Sequence, residues 1–276
     1  MRAKLSAFSP RFFLEIESEG EAEIILPPED SHHASHVLRL RQGDRCEVVT
    51  SSGRVYAAAV VSAVEPVRVR LDMDMNEAEA GASYRAQVGI VQALARPAAV
   101  DYLVEKGTEV GASFFLLVRA DGSPPARREN AADAGSEARR IVRWRRIARE
   151  AAKQSKQTAL PWVDSATSVE AAIQRLAAEG ITSVILHPAA AAALSDSLHD
   201  GADGHAPSSP GGPQLRSETG YRIALWVGPE GGWTAAEMEA FLAAGIRVAR
   251  LGRGVLRTET AGPVAVALTR LVLGDW

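Results

Sequence analysis

QVGIVQALARPAAVDYLVEKGTEVGASFFLLV, residues 87–118, decides the architecture of most of this chain. Gln87–Leu94 is predicted to be a strand. Pro97 stands where the first turn of a helix accepts a residue without an N–H. Ala98–Glu109 is predicted to be that helix, and Gly111 stops it. Ser113-Phe-Phe-Leu-Leu-Val118 is apolar throughout, as a strand buried on both faces must be. Strand, helix and strand in so short a span form one unit of a parallel sheet.

The alternation continues downstream. A polar loop with Pro124-Pro125 leads into a long helix from about Ser136 to Gln157. Strands are predicted at Thr182–Leu186, Tyr221–Val227 and Arg247–Leu251, with helices at Val169–Glu179, Ala235–Ala243 and Ala261–Leu273. Repeated units of this kind imply an α/β fold, a parallel sheet covered by helices on both faces. His199 to Ser217 is rich in Gly, Pro and Ser and reads as a flexible surface insertion.

Upstream the pattern differs. Arg11–Ile16, Cys46–Thr50, Val55–Val64 and Val67–Met73 are strand-like, separated by Gly43-Asp44 and Ser51-Ser52-Gly53. A short helix is predicted from Glu29 to Leu38, and a small barrel fits this spacing. Residues 76–83 are small and acidic without apolar periodicity and read as a linker. Two domains follow, 1–76 and 84–276, with no internal repeats.

Composition narrows the function. The 276 residues carry a net charge of −3, which excludes a chain coated in positive charge but leaves room for a local nucleic-acid patch. With one cysteine, Cys46, no disulfide forms within the chain, which suits a reducing compartment. Arg2 and Lys4 precede no apolar run, so no secretory signal is expected. Ile181 to Leu194 is broken by His187-Pro188 and is too short to span a bilayer. A soluble cytoplasmic protein without a membrane partner is expected.

Chemistry gathers at the ends of predicted strands, where ligands of open α/β sheets bind. Leu186-His187-Pro188 follows one strand. Gly228-Pro229-Glu230-Gly231-Gly232 follows another, and reads either as a tight turn or as backbone brought close to a flat ligand. Leu251-Gly252-Arg253-Gly254-Val255-Leu256-Arg257-Thr258-Glu259-Thr260 follows the third. Thr260 has a local reason as a helix cap; the guanidinium of Arg257 has none. Gly252-x-Gly254 resembles the start of a dinucleotide fingerprint, but Arg257 replaces its third glycine and the motif fails.

A second constellation is the helix from Arg139 to Lys156. Arg139, Arg140, Arg143, Arg145, Arg146, Arg149, Lys153 and Lys156 stand there against one acid, Glu150, while Ile141, Trp144, Ile147 and Ala151 give it a buried stripe. Such a face is either solvated or set against phosphates; the imbalance in an acidic chain favours phosphates. His32, His33 and His36 share a short helix, where i and i+4 spacing can chelate a metal. No carboxylate or cysteine nearby in sequence completes such a site, so surface or interface histidines, and no metal, are expected.

These residues resemble the ribosomal RNA small subunit methyltransferase E family, within the SPOUT class. The matching pieces are His33–Asp44 (HASHVLRLRQGD), Glu105–Gly111 (EKGTEVG), Leu186–Pro188 (LHP), Val227–Gly232 (VGPEGG) and Val255–Ala261 (VLRTETA), in the family's order and over nearly the whole chain. The resemblance implies a PUA-like N-terminal barrel and a C-terminal parallel-sheet domain with a trefoil knot. It further implies a homodimer, and methylation of uridine N3 in 16S ribosomal RNA or the small ribosomal subunit. S-adenosylmethionine is then held by Leu186, His187 and Pro188; by Val227, Gly228, Pro229, Glu230, Gly231 and Gly232; and by Leu251, Gly252, Val255, Leu256, Arg257, Thr258, Thr260 and Ala261. Arg39, Arg143, Arg146, Arg149, Lys153 and Lys156 become the expected RNA contacts. The chain departs from the family at Lys153-Gln-Ser-Lys-Gln157, where a Glu-Gln-Ser-Gly-Arg-like run is usual, at Arg119–Arg128, and in the 199–217 insertion.

Methyl transfer from a sulfonium needs no metal, because the leaving group departs neutral. It needs alignment and a donor to stabilise the uracil anion. Arg257 is the candidate donor, with Glu259 or Glu230 as proton acceptor. Two other classes remain: a nicotinamide-dependent oxidoreductase, which lacks its fingerprint, and a non-catalytic ribosome-binding protein, which has no use for Arg-Thr-Glu-Thr at a strand end.

Overall fold

A computed structural model describes residues 9–15, 23–75, 84–123, 134–199, 216–217 and 220–276. The chain divides into two compact units: Met1–Ser83 with Ala152–Leu160, and Tyr84–Ala151 with Pro161–Trp276. The expected linker at 76–83, the loop at Pro124-Pro125, Arg2 and Lys4, and residues 200–215 of the insertion lie outside the described residues.

The first unit contains β1 (Arg11–Leu14), β2 (Glu23–Ile25), α1 (Pro28–His32) running into a π-helical turn (His33–Val37), β3 (Arg45–Thr50), β4 (Val55–Ser62) and β5 (Arg68–Asp74). Its five-stranded sheet has the order β1-β3-β4-β5-β2, with β1 and β3 parallel and the other pairs antiparallel. Phe12, Leu26, Cys46, Val48, Ala58 and Val69 pack on one face as its core. Burial pushes the Cys46 thiol up to about 12, against a smaller opposing pull from Arg45.

Residues 152–160 complete this unit with charge as well as apolar contact. Ala152 packs with Phe13, Val49 and Val55. Lys153 Nζ lies 2.7 Å from Asp30, and Lys156 Nζ lies 2.8 Å from Glu47. Arg11 also pairs with Glu47 at 2.8 Å and donates to the carbonyls of Lys156 and Gln157 at 2.7 and 2.8 Å. Lys156 has φ +59, the left-handed region that L side chains avoid. Glycine is the residue that enters that region freely.

The second unit begins with β6 (Gln87–Ala93), α2 (Pro97–Glu109), β7 (Phe114–Val118), α3 (Ala134–Gln154, its last residues belonging to the first unit), β8 (Trp162–Ala166) and α4 (Val169–Ala178). It continues through β9 (Thr182–Leu186), α5 (Leu194–His199), β10 (Arg216–Ser217), β11 (Gly220–Val227), α6 (Ala235–Ala243), β12 (Arg247–Ala249) and α7 (Thr258–Val272). The sheet order is β12-β9-β11-β6-β7-β8, all parallel, with β10 added antiparallel to β11.

Both faces of this sheet are covered, as the apolar runs demand. Val88, Ile90, Phe115, Leu117 and Leu225 pack beneath α2, α3 and α7 through Leu103, Trp144 and Val266. Val91, Phe114, Leu116, Ile185 and Trp226 pack against α4 and α6 through Leu176 and Phe241. Each such side chain contributes about 1.5–3 kcal/mol on burial. A Cβ on Gly89 would lie 2.3 Å from the Phe114 ring, so β6 accepts only glycine there.

Several boundaries differ from those expected. β8 was not expected, because Asp164 and Ser165 interrupt its apolar pattern; it pairs only with β7, and Val163 is its one buried residue. β2 was too short to read, and α5 precedes the expected insertion. α7 begins at Thr258, not Ala261, with Arg257 in the cap position.

Candidate active site

In the second unit, the loops after β9, β11 and β12 meet at the C-terminal edge of the sheet, because those strands are neighbours there. The chain after β9 is tied to β12 by His187 N donating to Ala249 O at 2.9 Å. The β11 loop closes as a tight turn, with Gly232 N donating to Pro229 O at 2.9 Å and Gly232 at φ +77. The turn and ligand-wall readings of this segment therefore describe the same residues.

Together the loops wall a cavity of about 730 Å³. Leu186, His187, Pro188, Val227, Gly228, Pro229, Glu230, Gly232, Leu251, Gly252, Val255, Leu256, Arg257, Thr258, Glu259 and Ala261 all line it. Gly231 and Thr260 do not. Arg96, Trp233 and Gly254 do, and they were not among the expected residues. Arg96 follows β6, whose C-terminal end lies beside that of β11.

A buried hydrogen-bond chain holds two of the loops. The Thr258 hydroxyl donates to Gly228 O at 2.8 Å and accepts from Gln92 Nε2 at 2.8 Å. Gln92 Nε2 also donates to Ala93 O at 2.9 Å. Sequence reading passed over Gln92, a lone polar residue inside an apolar strand. Such a residue is buried only for a hydrogen-bonding reason.

Arg257 is exposed on the cavity wall, and its guanidinium has no hydrogen-bond or ion-pair partner among the described residues. Thr260 does not cap the helix; its N–H donates to Arg257 O at 2.9 Å within the first turn. Glu230 is paired with Arg96 at 3.0 Å, both side chains exposed. Glu259 stands half-buried on the wall.

The basic helix needs correction. Counting charges along α3 alone missed acids that other elements bring to it. Arg143 forms a two-point pair with Asp101, at 3.1 and 2.6 Å, and Arg145 donates to Val163 O at 3.0 Å. Lys153 and Lys156, expected as RNA contacts, are paired with Asp30 and Glu47 inside the first unit. Arg146 is exposed, Arg149 is half-buried, and Arg39 is exposed at φ +53. The histidine reading also changes. A carboxylate does approach His32 and His36: Glu65, distant in sequence.

Comparison with known proteins agrees with this geometry. The family described as "RNA methyltransferase domain" matches residues 83–270, and that described as "RNA methyltransferase PUA domain" matches residues 26–66. A Mycobacterium bovis protein named ribosomal RNA small subunit methyltransferase E is 28% identical over 96% of this chain and 92% of its own length. A Bacillus subtilis protein of the same name is 26% identical over 96% of this chain and 99% of its own. The crystal structure of a ribosomal RNA small subunit methyltransferase E from Neisseria gonorrhoeae, bound to S-adenosyl methionine, superposes with a TM-score of 0.75 at 22% identity, covering 96% of this chain and 98% of that one. The fold is the expected pairing of a PUA-like sheet with a SPOUT-type parallel sheet, and the chain belongs to the RNA methyltransferase family.

Proposed function

We propose that this chain methylates N3 of a uridine in small-subunit ribosomal RNA, with S-adenosylmethionine held in the three-loop cavity. The observation that carries this reading is the convergence of those loops on one cavity, with the unpaired Arg257 on its wall. The names of the relatives supply the substrate class, and the Neisseria structure supplies the cofactor.

The residues fit that cofactor on their own chemistry. About 730 Å³ is within the range of small-molecule sites. A Cβ at Gly252 or Gly254 would meet no protein atom within 4 Å, and neither glycine has a positive φ. Bare backbone at these two wall positions serves the cavity and not the packing of the chain. The indole N–H of Trp233, also on the wall, is buried without an acceptor among the described residues.

When bound, S-adenosylmethionine supplies a methyl group on a sulfonium whose leaving group departs neutral. The chain does the rest. Gly228, Gly252 and Leu256 position the donor. Uridine N3 holds its proton well above neutral pH, so Arg257 donates toward O2 or O4 and stabilises the anion that forms. Glu259, beside it on the wall, accepts the proton; Glu230, already engaged by Arg96, is the alternative. The base enters only after leaving its stack. Arg39, Arg143, Arg146 and Arg149 contact the RNA backbone.

The active species is a homodimer, an inference supported by Leu268 and Leu271 standing exposed on α7. Light scattering of the purified chain measures this directly. No helix among the described residues is long and apolar enough to cross a membrane, in keeping with the cytoplasmic location of ribosome assembly. Mass mapping of ribosomal RNA from a strain lacking this gene, with and without its restoration, tests the reaction. A restored methyl mark on any base other than a small-subunit uridine overturns the assignment.

A further inference from the structure

His32 closes α1 and His36 lies in the π-helical turn that follows. The connection between β4 and β5 delivers Glu65 to the same place. Buried Ser31 fixes that approach: its hydroxyl donates to Leu26 O at 2.9 Å and accepts from Val67 N at 3.1 Å, tying the last turn of α1 to the chain two residues past Glu65. Glu65 Oε1 then lies 2.9 Å from His36 Nδ1 and 3.3 Å from His32 Nδ1. The two imidazoles stack, with centroids 4.4 Å apart and planes 21° from parallel.

We propose that His32, His36 and Glu65 form a binding site for a late first-row divalent cation, with Zn²⁺ as the fitting occupant. One ligand atom from each residue falls within 4.8 Å of the others, so a single ion reaches all three with small side-chain rotations. Two imidazole nitrogens and one carboxylate oxygen are a ligand set that zinc accepts, the fourth position going to water. A neighbour already holds the carboxylate: Ser35 Oγ donates to Glu65 Oε1 at 2.7 Å and lies 2.9 Å from Ser31 O. Such outer partners orient a ligating carboxylate. All three ligand side chains are solvent-exposed, which gives the ion an open entry path.

The test uses the full chain without a histidine tag, stripped with EDTA and dialysed. Zinc chloride is titrated by calorimetry, and Co²⁺ by visible absorption. The expected result is one equivalent of metal per chain, a four-coordinate Co²⁺ spectrum and a raised melting temperature. His32→Gln with His36→Gln, and separately Glu65→Gln, each weaken binding at least tenfold, and Ser35→Ala weakens it by about tenfold with the stoichiometry unchanged. Melting curves in EDTA verify that the variants fold. If the double histidine variant unfolds, His36→Asn alone carries the comparison. Failure of the wild-type chain to take up zinc at micromolar concentration overturns the proposal, as does a double variant that binds as the wild type does.

Discussion

The Thr258 hydroxyl reaches across the cavity floor to the carbonyl of Gly228, 2.8 Å away, and so joins the loop after β12 to the loop after β11. Gln92 completes the link from a third strand. Thr258→Val removes both bonds and leaves Gly228 O without this donor, a loss on the order of 1–3 kcal/mol. The variant is expected to melt earlier and to bind S-adenosylmethionine at least tenfold more weakly. Gln92→Leu should shift both in the same direction by less, since it also removes the buried unpartnered Oε1. Calorimetric titration and a melting curve measure each; unchanged cofactor affinity in Thr258→Val would mean that the loops hold their places without it.

Among the described residues Arg257 has no partner to lose. Arg257→Ala should therefore melt as the parent does and bind S-adenosylmethionine within about twofold, while the single-turnover rate falls on the order of 10²–10³, as for loss of one transition-state donor. A normal rate at saturating cofactor would remove Arg257 from the chemistry.

RNA contact by α3 now rests on fewer residues. Arg146→Glu is expected to make log affinity against log salt shallower by roughly 0.7–0.9, the share of one phosphate contact. Lys153→Gln should leave that slope unchanged and instead destabilise the fold, because Asp30, only 4% exposed, loses its cation. Binding measured from low to moderate salt separates the two.

Lys156 sets strain against charge. Lys156→Gly relieves a left-handed backbone, worth on the order of 1–3 kcal/mol, but leaves Glu47 paired with Arg11 and without its second cation. Lys156→Met keeps the strain and loses the charge together with the bond from Nζ to Ser9 O. Denaturant titration should therefore rank the wild type above Met, with Gly above Met by the strain term. Equal stability of Gly and Met would show that the backbone bears no strain there.

Cys46 titrates near 12 because its folded environment disfavours the thiolate. A thiol reagent at pH 8 should leave the native chain unmodified and label it once it is unfolded in guanidinium. Rapid labelling of the native protein would place the thiol at the surface.

The sequence was most legible where one physical signal dominated. Phe114–Val118 and Thr182–Leu186 are buried on both faces, so their apolar runs admitted no other reading. β8 was invisible because an edge strand with one buried residue lacks that signal. At the site, Arg257 and the glycines were found from position relative to strand ends. Gln92 and Arg96 were missed because their roles come from strands brought together by sheet order, which local pattern does not encode. The same limit hid Asp101, Asp30 and Glu47 from the charge count on α3, and Glu65 from His36.

Residues 152–160 carry a consequence for synthesis. Domains emerging from the ribosome usually fold N-terminal first, yet here Asp30 and Glu47 receive Lys153 and Lys156 only after 123 and 109 further residues have been made. Until then the strands have their core, but Asp30 lacks Lys153 and Glu47 has Arg11 without its second cation, Lys156. A nascent chain stalled just past residue 83 should thus be open to protease, and one stalled beyond the emergence of residue 160 should resist. The N-terminal module is thus a late-closing one, sealed by a latch encoded in the middle of its neighbour.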